Sequence, residues 1–115
     1  MEWERMDMKK LGQGAITTGA GTTVYTVPTG MRTEVLDINI ANTTTGALTC
    51  ALHLVPTGGS AATTNMLFPT VSIPANTLIQ WTGVQVLNAG DFVQGIGSAA
   101  GITVTISGSE GRAGT

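Results

Sequence analysis

Clusters of turn-forming residues punctuate this chain at short, regular intervals, at 29–30, 42–46, 56–60, 74–76, 88–91 and 98–101. The segments between them alternate with a period of two. Over 31–42 the apolar Leu36, Ile38 and Ile40 share one phase, with Thr33, Asp37 and Asn39 on the other. Over 47–55 Leu48, Cys50, Leu52 and Leu54 point one way, and Thr49, Ala51 and His53 the other. Ile102, Val104 and Ile106 alternate strictly with Thr103, Thr105 and Ser107. Short alternating segments bounded by regular turns are the grammar of an antiparallel sheet with one wet face. Weaker strands are expected at 22–27, 66–73, 77–84 and 92–96. Pro69 marks 66–73 as an edge strand or as broken by a bulge, because proline has no N–H for a ladder. The expected fold is all-β: a single antiparallel β-sandwich, jelly-roll-like, of seven or eight strands.

A chain of 115 residues holds one such domain. The expected division is an N-terminal docking arm at 1–13, the sandwich at 14–108 and a C-terminal tail at 109–115. Charge supports it. Six of the twelve charged residues, Glu2, Glu4, Arg5, Asp7, Lys9 and Lys10, lie in the first ten positions. The other 105 residues contain Arg32, Glu34, Asp37, Asp91, Glu110 and Arg112, and no lysine. Threonine is a good strand former that tolerates solvent, so it can coat outer faces without charge. Small sandwiches usually guard faces and edges with charge, especially lysine. A body that omits it is expected to be covered by symmetry mates or by a larger assembly.

The net charge of −2 gives no basic field for nucleic acid or anionic lipid. No apolar run approaches a membrane span. The first ten residues lack the apolar core of a signal peptide, which predicts a chain made and kept in the cytoplasm. The single Cys50 excludes an internal disulfide.

Catalytic chemistry finds little to work with. Zinc needs three or four Cys, His or carboxylate ligands, and there is one Cys and one His. Cys50 and His53 are three apart on a strand and leave opposite faces. Cys50 reads as a core thiol and His53 as a solvent or interface residue. Glu34 and Asp37 likewise diverge, and Asp91 reads as a cap on its own turn. The glycines at 95, 97 and 101 miss the dinucleotide spacing, and no helix follows them. Trp81 shares a phase with Ile79 and is expected in the core. Asn42-Thr43-Thr44 fits the glycosylation pattern but reads more simply as a turn. No catalytic residue, metal ligand or cofactor is therefore expected, and a binding role is. The candidate binding residues lie in the arm: Trp3, Met6, Met8 and Leu11, apolar anchors among charges of both signs.

Two stretches, Thr23-Val24-Tyr25-Thr26-Val27-Pro28-Thr29-Gly30 and Val35-Leu36-Asp37-Ile38-Asn39-Ile40-Ala41-Asn42-Thr43-Thr44, with the later Leu87-Asn88-Ala89-Gly90-Asp91, form a recognisable set. Together with the closing strand they resemble a pattern in small β-sandwich virion proteins of tailed bacteriophages, over about residues 15 to 108. The arm lies outside it. The resemblance implies a structural role on the virion, often as a homotrimer. The leading expectation is a capsid decoration (cement) protein on the major capsid protein shell, located at the capsid surface. The alternative is a tail, collar or fibre-associated host-attachment module, with loops such as 57–64 touching glycans. A sugar-binding adhesin outside any virus ranks lower, since aromatics are 4% of the chain, and an enzyme ranks last.

Overall fold

Residues 7–19 and 21–112 are described by the structure, a computed structural model. Eight strands follow one another: β1 (Asp7–Ile16), β2 (Thr22–Thr26), β3 (Met31–Asn42), β4 (Leu48–Val55), β5 (Met66–Ile73), β6 (Thr77–Asn88), β7 (Phe92–Gly97) and β8 (Ile102–Arg112). One turn of 3-10 helix, Thr63–Asn65, precedes β5.

The strands make two four-stranded sheets, β1-β8-β3-β6 (sheet A) and β2-β7-β4-β5 (sheet B). First pairs with last, second with seventh, third with sixth and fourth with fifth, all antiparallel. That is one long hairpin rolled up on itself, the connectivity of a jelly roll. Pro69 is tolerated because β5 is the outer strand of sheet B, with register shifts opposite Leu52.

The sheets enclose an aliphatic core. Ile38, Ile40, Leu52, Ile73, Val93, Ile102, Val104 and Ile106 have no solvent exposure. Gly95 lets the layers approach, since a Cβ there would press on Ile16 and Leu52. Alternation carries through β8, but β3 changes phase. A bulge between Val35 and Asp37 turns Thr33 and Val35 inward along with Ile38 and Ile40, and leaves Leu36 half-buried.

Two boundaries differ from the sequence reading. Residues 7–13, expected in the arm, belong to β1 and pair with β8. Residues 109–112, expected in the tail, continue β8 between β1 and β3, with Ser109, Glu110 and Gly111 buried. Residues 7–13 pair with 105–110 of β8, and 109–112 pair with the start of β3 and, at Ser109 and Glu110, with β1.

The turns close the ends of the sandwich. Asp91 accepts from the Asn88 amide (2.9 Å) through one carboxylate oxygen, and from the Thr57 amide (3.0 Å) and hydroxyl (3.2 Å) through the other. Gly90 between them has φ +87°, and a Cβ there would strike the Thr57 side chain. At the opposite end Asn42 is 2% exposed. Its amide donates towards the carbonyls of Gly46, Ile73 and Pro74, and its oxygen accepts from the amide and hydroxyl of Thr44. Asn42 is the last residue of β3, and these bonds fix the bend at 44–46 that leads towards β4.

Candidate docking surface

The four arm residues do not form one group. Trp3 and Met6 lie outside the described residues. Met8 points outward from β1, 70% exposed, with its sulfur accepting from the Ser109 hydroxyl at 2.9 Å. Leu11 sits at a register shift of β1 and packs against the core. Leu11 is thus part of the sandwich and Met8 part of its outer face.

That outer face belongs to sheet A, and the register sets its rows. Across β1, β8, β3 and β6 they run Met8–Ser109–Glu34–Val86, then Gln13–Thr105–Asn39–Gln80, then Ala15–Thr103–Ala41–Leu78. Charge is confined to one end, on Arg32, Glu34, Lys10 and Asp37. Asp37 accepts from the amides of Gln80 (2.7 Å) and Asn39 (3.3 Å), so it is met by neighbours on its own sheet. The other half carries amides, hydroxyls and methyl groups without an ionisable side chain. Leu78, Val84 and Val86 of β6 are each more than half exposed. The sequence reading missed these three. Their signal is the apolar character of both phases of β6, where Ile79 and Trp81 face the core margin and Leu78, Val84 and Val86 face out.

Behind the charged end, a polar cluster joins the sheets. The Tyr25 hydroxyl of β2 donates to Glu110 of β8 and lies 2.7 Å from the Thr33 hydroxyl of β3. Lys9 of β1 reaches the other Glu110 oxygen at 3.0 Å. Among the described residues every buried side-chain nitrogen and oxygen has a partner, so the cluster is fully satisfied, the condition under which buried polar groups stabilise a fold.

Burial, and then the bond to Glu110, push the Tyr25 hydroxyl up to about 12. Tyr25 is the single tyrosine, so tyrosinate absorbance reports it alone. We expect the native protein to titrate about two units above the unfolded chain. A native transition near the ordinary tyrosine value would contradict the cluster.

The Tyr25 hydroxyl, followed by Lys9, holds the Glu110 carboxyl below its ordinary range. The folded state therefore releases the Glu110 proton more readily than the unfolded chain. The stabilisation is full above the unfolded carboxyl value, about 4.3, and is lost as pH falls through the lower folded value. Glu110→Gln should lower Tm at neutral pH, and the gap to the parent should narrow below about pH 4. A gap that is constant with pH would contradict it.

The remaining chemistry-bearing side chains are committed to structure. His53, expected at solvent or an interface, is only 4% exposed, because residues 56–65 fold over the outer side of β4. Its Nδ1 faces two acceptors, the Ala62 carbonyl (3.0 Å) and the Asn65 side-chain oxygen (2.9 Å), so it carries the proton. Cys50 is buried in the core, and burial pushes its thiol up to about 11. Tyr25 is buried, and Phe68, Trp81 and Phe92 are half-buried. Trp81 lies at the core margin, its ring over Gly83.

Two open depressions flank β6. One of about 330 Å³ is lined by residues from Ala41 to Thr43 and from Asn76 to Leu78. The other, of about 420 Å³, lies between the 54–66 region and residues 85–87. The one ionisable side chain in these linings, Asp91, already caps its turn. Among the described residues no group of three His, Cys, Asp or Glu side chains could hold a metal ion. No protein-family model matches the chain, and no curated protein matches its sequence.

Proposed function

We propose that this chain is a non-enzymatic structural protein of a bacteriophage virion, a capsid decoration protein that binds and stabilises the shell of major capsid protein. The observation that carries the reading is the uncharged half of the outer face of sheet A, from Gln13 and Ala15 across to Leu78 and Gln80. Covering amides, hydroxyls and methyl groups desolvates no ion, so such a face can be buried at modest cost. The sequence resemblance over residues 15 to 108 supports the same role. Residues 1–6, with Trp3 and Met6, then act as the arm that reaches a neighbouring subunit, and self-association into a trimer multiplies weak contacts over the shell by avidity.

The test mixes purified protein with emptied, expanded heads that lack it and follows co-sedimentation. Gln13→Arg and Ala15→Arg, both at exposed positions, should abolish binding while Tm stays unchanged. Undiminished binding would show that another face docks. The arm is tested by deleting residues 1–6, because residues 7–11 are needed for β1. Co-sedimentation of this truncated protein at full level would remove the arm from the mechanism and leave the face standing.

A further inference from the structure

We propose that β6 is the contact through which two copies of this chain associate, edge to edge and antiparallel about a twofold axis at Thr82. The four lateral edges of the sandwich are unequal. β2 is five residues long, β5 contains Pro69, and β1 carries Asp7, Lys9 and Lys10. Short length, proline and charge are devices that keep an edge from pairing. Each border strand has a register shift in its ladder, that of β6 between Thr82 and Gln85, so bulges do not separate them. β6 has twelve residues, Thr-Leu-Ile-Gln-Trp-Thr-Gly-Val-Gln-Val-Leu-Asn, with no charge and no proline. Among the described residues one side of β6 pairs with β3 and the other is the open border of sheet A.

Its occupant must also be uncharged and extended, and β6 meets that description itself. Antiparallel pairing about Thr82 sets Leu78 opposite Val86 and Gln80 opposite Val84, on the solvent face. These bring together the three exposed aliphatics of this strand. On the inner face the same register sets Trp81 opposite Gly83 of the other copy, and no like charges meet at any position. The contact is isologous, so it closes at two copies and does not grow into a fibre. It stands whether or not the chain decorates a capsid. Alone it gives a dimer, and combined with the proposed trimer it gives a hexamer.

Thr82 is exposed, so substitutions there leave the fold intact. On the axis its two copies stand about 4.5–5.5 Å apart between Cα atoms, within disulfide reach. Oxidised Thr82→Cys should run as a covalent dimer in high yield. Leu78→Cys, which the register holds far from its own copy, should stay uncrosslinked, and buried Cys50 takes no part. Thr82→Lys places two cations face to face and should halve the native mass measured by light scattering, while the circular dichroism spectrum stays that of the parent. A parent protein that is monomeric or trimeric overturns the proposal. So does an even-numbered assembly in which Thr82→Cys does not crosslink or Thr82→Lys keeps its mass. Equal crosslinking at positions 78 and 82, a sign of unregistered aggregation, overturns it too.

Discussion

Asn42→Ala is expected to lower stability by about 3 kcal/mol, a drop in Tm of more than about 10 °C for a domain of this size. The side chain is 2% exposed and ties three segments at one end of the sandwich. Its amide nitrogen lies 2.9 Å from the Gly46 carbonyl, 3.0 Å from that of Ile73 and 3.2 Å from that of Pro74. Its oxygen holds the Thr44 amide at 2.9 Å. Alanine leaves the Ile73 carbonyl without this donor in a buried setting, which costs the desolvation of the orphaned group rather than the modest net value of one bond. Asn42→Asp separates the two halves of this effect. It keeps the acceptor for Thr44 but turns an oxygen towards the three carbonyls, so it should be at least as harmful. Thermal unfolding of the pair checks this, and a loss below about 1 kcal/mol for Asn42→Ala would contradict the assigned network.

Gly108→Ala should be comparably severe, about 3 kcal/mol, for a different reason. Gly108 is paired with Val35 and sits where β3 bulges past β8. A Cβ there would collide with the main-chain carbonyl of Glu34 and press on Leu11. Backbone cannot rotate away as a long side chain can, so the β8–β3 ladder must shift. Gly14→Ala is the control, since a Cβ there meets nothing within 4 Å. Chemical denaturation should show a large loss of stability at position 108 and little at 14. Equal effects would mean that β3 and β8 do not approach as closely as described.

The segments were legible because their order is local. Ile102, Val104 and Ile106 alternate without interruption, and the same residues are fully buried in β8. Asp91 was readable as a turn cap because its partner Asn88 is three residues away. What escaped the sequence depends on partners far along the chain. Glu110 looks like part of a tail until Tyr25 and Lys9, 85 and 101 residues earlier, are brought against it. β1 escaped because Lys9, Lys10, Gly12 and Gly14 break the alternation and a register shift falls between Lys10 and Gly12. In β3 the bulge moved Thr33 to the inner side and left Leu36 half-buried, reversing the phase read from residues 33–36. His53 seemed exposed because alternation describes one strand and says nothing of a loop folded over it. Of the candidate site, the neutrality was readable from composition. Its gathering on one half of sheet A was not, since that requires the strand order.

The copy number of this chain in purified particles, relative to the major capsid protein, is the most direct test of the decoration role. Decoration of the shell predicts a fixed ratio of the same order as the capsid subunit itself, measured by quantitative mass spectrometry of intact virions. A few copies per particle would place the chain on the tail or collar, and its absence from particles would contradict a virion role altogether.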